Sequence, residues 1–420
     1  MGEAEVGRTH GRLEKGDLCH YIALFLAALV IIGWRLTEPG MLYFDEEYFV
    51  PSARGILNGS ELGEVTHPPL VKELIAFCIY LFGDRPLAWR LPSCVSGIGL
   101  VLVVRALLVR WECGRLISTF GAMLLLLDGL CLTQARIAML TTPSLFFAFF
   151  SLFCLDVAMR CVETGKRAFL WMGLSGISIG ASCACKFTGV PFFVLMLAIL
   201  AAAVPRRGGR VIARLGGFLL CAATLTYVVA YLPIRGFLRP FWWGVWRYQE
   251  IIVHHHTVEA VSPHGYQSQW WSWPLSLRPV WYGFEEVAGP EVVRGVMCLA
   301  NPFVSLFVLL SVLVALGMGI TKKRLSYEAK VCLGAFLVNL LPWVVGTRVA
   351  FYHYYYPSLV CGVLLGCVLI REGRKTFQRV VMGVSSLVAG ILGICFYPLW
   401  TALPISRSWY EGLLWLTSWR

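Results

Sequence analysis

Charge is what this sequence has least of. Only 14% of its 420 residues are Asp, Glu, Lys or Arg, and the acids number 24. With 58% hydrophobic residues and a mean hydropathy of +0.70, that scarcity excludes an ordinary soluble globular protein. Long apolar runs broken by short basic clusters describe an all-α polytopic membrane protein instead. An internal repeat, a low-complexity tract and a soluble domain are also missing, so 1–420 reads as one integral-membrane domain. Most of the fifteen cysteines sit inside apolar runs (Cys183, Cys185, Cys221, Cys361, Cys367), and 235–297 contains none. They read as small hydrophobes, with neither a disulfide framework nor a zinc spacing. His254, His255 and His256 have no acid or cysteine at zinc-site spacing, so no metal and no cofactor is expected. The formal charge of +12 is compatible with nucleic acid, but the bases cluster in short loops between apolar runs. That pattern suits anionic lipid headgroups, and no nucleic-acid partner is expected.

What is present is a succession of eleven candidate spans, at 19–35, 91–109, 117–134, 143–159, 168–185, 187–204, 213–233, 297–318, 330–346, 355–370 and 380–398. Each is near the length that crosses a hydrocarbon layer of about 30 Å. The first reads as a retained helix and not as a signal peptide: acids mix with bases before it, and "WRLTEPG" offers no small-x-small cleavage site. "PPLVKELIAFCIYLFG", 68–83, is short, opens with two prolines and carries Lys72 and Glu73 in its first turn, which predicts an interfacial helix. With that segment outside the membrane, one face collects Arg105/Arg110/Arg115, Arg160/Lys166/Arg167, Arg206/Arg207/Arg210/Arg214, Lys322/Lys323/Arg324 and Arg371/Arg374/Lys375/Arg379. That face is then cytoplasmic. The other holds the loops 36–90 and 234–296, the corners at 135–142 and Arg348, and the turn at Lys186. Trp242, Trp243, Trp246, Trp270, Trp271, Trp273 and Trp281 predict that the 234–296 loop packs on the membrane surface.

Three acids stand together in "MLYFDEEYFVP", 41–51, on the outer face. Taken alone, Asp45, Glu46 and Glu47 fit a solvated loop as well as they fit a site. Flanking Tyr43, Phe44, Tyr48 and Phe49 argue for partial burial, where a carboxylate gains basicity and can deprotonate a hydroxyl. In "THPPLVKELI", 66–75, the prolines suit a helix start, and His67 and Lys72 add donors beside it. Arg136, Lys186 and Arg348 each read alone as a snorkelling cation; together on the face of the acids they suit an anionic headgroup. Asn58-Gly59-Ser60 is a glycosylation sequon by pattern only.

In order along the chain, these stretches resemble the protein O-mannosyltransferase family. "YFDEEYF" is similar to its Asp-Glu motif and "HPPLVKELIAFCIYLFG" to its His-Pro-Pro-Leu-x-Lys helix. "LLLLDGLCLTQARIAML" is similar to its Asp-Gly-Leu…Gln-Ser-Arg corner, and "ISIGASCACKFTG" to the segment carrying its Lys turn. "SPHGYQSQWWSWPLSLRPVWY", 262–282, resembles its His-Pro-Tyr…Trp-Trp-Ser-Trp-Pro-Leu loop, and "TRVAFYHYYYP" and "FYPLWTALPIS" also fit. Two departures stand out. Thr141 occupies a position where the family usually has an aspartate, and 234–296 has no room for the β-trefoil domain of eukaryotic members.

The resemblance implies the C-type (GT-C) glycosyltransferase fold, about eleven transmembrane helices plus interfacial helices in the first outer loop. It also implies transfer of mannose, with inversion, from a polyprenyl-phosphate donor to Ser or Thr hydroxyls of an acceptor protein. The setting would be the extracytoplasmic face of a bacterial inner membrane. Asp45 would be the base, with Glu46 orienting the acceptor or a partner cation. Arg136, Lys186 and Arg348, with His67 and Lys72, would hold the phosphate. The substrate-facing loop residues would be His264, Trp271, Trp273, Arg278, Tyr352 and His353, with Trp271 and Trp273 shielding the sugar. The alternatives are a GT-C transferase acting on a glycolipid or glycan, and a transporter; against the latter, no chain of ionisable residues crosses mid-span.

Overall fold

The computed structural model describes residues 15–60, 63–162, 166–234, 240–259, 263–287, 289–321, 324–346 and 348–420. The chain opens with α1 (Lys15–Gly33), then places two short helices, α2 (Glu46–Asn58) and α3 (Leu70–Phe82), in the first long loop. A long helix α4 (Pro86–Arg110) precedes α5 (Gly114–Leu126) and α6 (Gly129–Arg136). Four helices run in succession: α7 (Thr141–Arg160), α8 (Lys166–Cys185), α9 (Gly189–Arg207) and α10 (Gly209–Val229). Beyond α11 (Phe241–His254) come strands β1 (Val280–Glu286) and β2 (Val292–Cys298), then α12 (Pro302–Ile320), α13 (Tyr327–Val345), α14 (Tyr356–Glu372) and α15 (Lys375–Thr401). Strand β3 (Ile405–Ser406) and α16 (Arg407–Leu413) lie in the tail.

Ten helices among the described residues are long and apolar enough to cross a membrane, and the pair α5 and α6 makes an eleventh if counted as one bent span. The chain is a multi-pass membrane protein. The span expected at 117–134 is thus not straight but turns by 63° at Leu127–Asp128. Asp128 explains the break. Its carboxylate accepts the Cys131 N–H at 3.0 Å as the cap of α6 and the Asn301 N–H at 2.9 Å from the start of α12. Gly129 follows because the Trp400 indole leaves no space for a Cβ.

The helical architecture expected carries one small sheet. Strands β1, β2 and β3 form an antiparallel sheet in which Val280 pairs with Cys298, Glu286 with Val293, and Val293 with Ile405. Valines and aromatics at a period of two make these segments strands. The apolar run beginning at 297 is therefore a strand end followed by a helix: Asn301 caps α12 by accepting the Phe303 N–H at 3.0 Å, and Pro302 stands in its first turn.

Small residues set how the helices meet, as expected where lipid supplies no hydrophobic drive between them. Between α7 and α8 the hydroxyls of Ser144 and Ser182 donate to each other's carbonyl at 3.0 and 2.8 Å, and those of Ser151 and Ser175 do so at 2.7 and 2.9 Å. On its other face α8 meets α10 at Gly176, where a Cβ would lie 2.6 Å from the Leu219 carbonyl oxygen. Helix α14 is buried along nearly its whole length and forms the centre of the bundle. Helices α1, α9, α10 and α15 instead expose leucine, valine and isoleucine outward. Helix α3, 13 residues long, falls short of a span, in keeping with the interfacial expectation. Lys322 and Lys323 of one expected basic cluster lie outside the described residues.

Candidate active site

One end of the bundle gathers the loop before α2, the approach to α3, the α8–α9 turn, the end of α13 and the start of α14. All but the first of these surround a cavity of about 190 Å³ lined by, among others, His67, Thr141, Lys186, His256, Arg348 and Tyr354; Asp45 is not among its lining residues. Four prolines, Pro68, Pro191, Pro342 and Pro357, with Phe187 and Trp343, give it apolar walls.

Asp45 begins α2, half-buried, after a residue in an unusual conformation. Phe44 sits at φ +53°, a left-handed value rare for an aromatic, with its ring stacked on Tyr282 at 3.9 Å. The Tyr282 hydroxyl is in turn bonded to the Gln134 amide. The Asp45 carboxylate makes no protein hydrogen bond among the described residues, and the nearest opposing charges are Lys186 and Arg348. Burial pushes its pKa up to about 6; Lys186 and Arg348 oppose the shift, and Glu64 adds to it. Lys186 moves the other way. Burial lowers it to about 8 despite Asp45, with Arg348 contributing, and its ammonium donates to the Thr141 hydroxyl at 3.1 Å.

Tyr354 organises the two cations. Its ring lies 5.3 Å from the Lys186 ammonium and 5.4 Å from the Arg348 guanidinium, stacks on Trp343 at 4.3 Å, and its hydroxyl accepts from Arg348 at 3.0 Å. The Arg348 Nε is buried without a hydrogen-bond partner among the described residues. His67 and His256 meet edge to face at 5.2 Å on the opposite wall.

Behind His67 is a closed polar network. Lys72 donates to the Glu64 carboxylate at 2.7 Å, to the Glu64 and His67 carbonyls at 2.8 and 2.9 Å, and to the Tyr248 hydroxyl at 3.1 Å. Burial would raise the Glu64 carboxyl, yet Lys72 and His67 hold it well below the usual carboxylate range. Glu64 also meets His67 Nδ1 at 3.0 Å. Burial lowers His67 to about 4 even so, which leaves it neutral near pH 7. A neutral imidazole that gives its Nδ1 proton to Glu64 keeps Nε2 as an acceptor.

Several expectations are corrected by these contacts. Arg136 does not line the cavity: its guanidinium donates to the Ile32, Trp34 and Arg35 carbonyls at 2.6, 2.6 and 3.0 Å and closes the end of α1. Lys72, fully buried, has its protons committed to Glu64, His67 and Tyr248, so it supports the wall of the cavity without facing an anion. Glu46 meets a partner cation and no substrate-facing space: it pairs with Arg90 at 2.8 and 3.0 Å and accepts the Ala138 N–H at 2.9 Å, with both side chains fully buried. Trp273 is fully buried against Trp343 and bonded to Ser268, while Trp271 is 56% exposed on the surface, and neither lines the cavity. Tyr352 is held by the Ser276 hydroxyl at 2.8 Å, and Arg278 donates to the Gly265 carbonyl on an exposed loop. His264 packs on Phe351 at 5.1 Å, and buried His353 lies between Phe44, Phe351 and Tyr354. The histidine run does have a nearby acid: Glu259 meets His254 and His255 at 3.2 and 2.8 Å, and His256 is left to the cavity. Asp45, Lys186, Arg348 and His67 are the expected residues that come together. Glu64, Thr141, His256, Trp343 and Tyr354 complete the group. Of these, the sequence reading names Thr141, as a departure, His256, in a histidine run without a zinc spacing, and Tyr354, inside an aromatic run; Glu64 and Trp343 it missed.

The chain is similar to known proteins along most of its length. A family model described as dolichyl-phosphate-mannose-protein mannosyltransferase matches 84–249, and one described as the C-terminal four-helix transmembrane region of protein-O-mannosyltransferase matches 241–419. A polyprenol-phosphate-mannose–protein mannosyltransferase of Mycolicibacterium smegmatis is 26% identical, covering 91% of this chain and 89% of the relative. Its counterpart in Mycobacterium tuberculosis is 27% identical, covering 92% and 88%. Among solved structures, the Saccharomyces cerevisiae protein O-mannosyltransferase Pmt1–Pmt2 complex bound to the sugar donor superposes with a TM-score of 0.88 at 13% identity, covering 98% of this chain and 93% of that one. ArnT from Cupriavidus metallidurans gives 0.58 at 15% identity, covering 89% and 64%. The fold is that of the GT-C membrane glycosyltransferases.

Proposed function

Because this chain belongs to the protein O-mannosyltransferase family, we propose that it transfers mannose from a polyprenyl-phosphate donor to Ser or Thr hydroxyls of acceptor proteins, with inversion at the sugar carbon. One observation carries the reading: the Asp45 carboxylate, without a protein hydrogen bond among the described residues, feels the charges of two cations, Lys186 and Arg348, that line one apolar-walled cavity.

The donor arrives activated, with phosphate as leaving group, so the protein must supply a base and a stable place for the departing negative charge. Asp45 accepts the hydroxyl proton as the acceptor oxygen bonds to the sugar and the sugar–phosphate bond breaks. At about 6, its pKa makes it more basic than an ordinary aspartate yet mostly ionised near neutrality. Lys186 and Arg348, both set against Tyr354, take up the second negative charge that develops on the phosphate as the diester becomes a monoester, which makes the cavity better suited to the transition state than to the singly charged donor. Thr141 is relevant here. A neutral hydroxyl beside Lys186 leaves its charge for the phosphate, where an aspartate would pair with it. His67 offers an acceptor for a sugar or acceptor hydroxyl. The clustering of bases at the other end of the helices supports an extracytoplasmic site in a bacterial inner membrane.

The test is transfer from polyprenyl-phosphate mannose to a Ser/Thr-rich peptide by the purified protein, comparing wild type with Asp45→Asn. Peptide mannosylation by wild type and its loss in the variant supports the reading. Undiminished transfer by Asp45→Asn removes the base, and acceptance of a glycolipid with refusal of the peptide moves the acceptor to another class.

A further inference from the structure

A second, larger cavity lies at the other end of the bundle. It measures about 640 Å³, between α7, α9 and α13, and is lined by buried Leu152 and Leu155, half-buried Ile199 and Val331, and exposed Ala202. Arg160, Arg206 and Arg207 lie at its rim. Helix α9 joins the two cavities: Pro191 lines the first and Arg207 the second, and 19 helical residues separate the ends by about 28 Å. Nothing in the transfer chemistry uses this cleft.

Its charges are unequal in number. Asp156, the one acid lining it among the described residues, is already engaged by Arg110 at 2.7 Å and by Arg160 at 3.2 Å. Arg206 and Arg207 are exposed and have no carboxylate partner among the described residues. The three helices that form the walls are all membrane-crossing by length and composition. A groove of this size between lipid-facing helices has lost the dispersion contacts that side chains would supply, and a hydrocarbon chain restores them. Guanidinium groups at the mouth of such a groove match a phosphate diester, which they can grip with paired N–H bonds. A free anion satisfies the rim and leaves the apolar depth unfilled; a neutral lipid does the reverse.

We propose that the cleft between α7, α9 and α13 binds one anionic phospholipid, its phosphate on Arg160, Arg206 and Arg207 and an acyl chain against Leu155, Ile199 and Val331. The site is separate from the catalytic cavity and holds whether or not the transfer reaction is as described above.

Native mass spectrometry of the purified full-length chain, titrated with phosphatidylglycerol or phosphatidylcholine, tests it. Wild type is expected to retain one phosphatidylglycerol in preference to phosphatidylcholine. The triple variant Arg160→Gln, Arg206→Gln, Arg207→Gln is expected to lower that occupancy by about tenfold or more, as loss of several cation contacts with an anionic headgroup implies. Ala202→Trp, which fills the exposed wall and leaves every charge in place, is expected to lower it as well, and it carries the test if the triple variant does not fold. Equal retention of the two lipids, or unchanged phosphatidylglycerol binding in both variants, overturns the proposal. So does displacement by millimolar inorganic phosphate together with indifference to Ala202→Trp, which would make the rim a simple anion site.

Discussion

Asp45 and Glu46 are neighbours in the chain, and their carboxylates have opposite surroundings. Glu46 is sealed: two bonds to Arg90, one from the Ala138 N–H, no exposure. It ties the first outer loop to α4 and to the corner after α6. Asp45 has no protein hydrogen bond among the described residues and feels two cations, Lys186 and Arg348, that line the cavity. Each site pairs an acid with cations, buried at Glu46 and half-buried at Asp45, and only the second has charge left uncommitted among the described residues. A buried ion pair with every lone pair satisfied holds a fold together, whereas an unsatisfied carboxylate facing cations is arranged for something not yet bound.

The largest effect expected from breaking this contrast falls on Asp45. Asp45→Asn should lower transfer by about 10³-fold, the scale of a lost general base, with a melting temperature close to wild type. Glu46→Gln should do the reverse: removing one partner of a fully buried pair costs about 3–5 kcal/mol, read as a clear drop in melting temperature and in folded yield. A large stability loss in Asp45→Asn, or none in Glu46→Gln, would erase the distinction.

Next in size is Lys186→Gln, expected to reduce kcat by about 10²-fold because the cation acts on charge that develops at the phosphate. The pH profile sharpens the same point. Transfer requires Asp45 ionised and Lys186 protonated, so kcat/KM should rise with pH through about 6 and fall through about 8. In Lys186→Arg the alkaline limb should move well above 8 while the acid limb stays, since guanidinium does not titrate in this range. An unmoved alkaline limb would detach it from Lys186. The smallest effect is expected at His256→Ala. A neutral wall residue, lowered to about 3 by burial with help from Arg348 and His67, should change KM by about tenfold or less and leave the pH limbs in place.

How far the residues alone disclosed this molecule depended on the kind of signal. Hydropathy gave the helices because a span needs some twenty apolar residues whatever surrounds it. It hid β2, whose valines merge with the apolar run of α12, until Asn301 and Pro302 are seen to start a new element. Arg136 shows a deeper limit, since a cation at a helix end looks the same whether it faces an anion or a set of carbonyls. Tyr354 escaped for a geometric reason. The 352–355 segment is a 3₁₀ turn, where successive side chains leave the axis about 120° apart, so of the adjacent aromatics one reaches the cavity and its neighbours enter the core. Glu64 had no legible pattern at all, because its partner Lys72 meets it only after two prolines turn the chain, and Tyr248, which holds that lysine, arrives only when α11 packs back.

The paired serines of α7 and α8 bear on how accurately a charge can be set. Thr141 starts one of these helices, and Lys186 follows directly on the end of the other. A slip of one residue along the pair, about 1.5 Å, would break all four reciprocal hydroxyl–carbonyl bonds together, so the two rods are indexed like the teeth of a ratchet. The distance between Thr141 and the ammonium it meets is therefore gauged deep inside the bilayer, by contacts that touch neither of them.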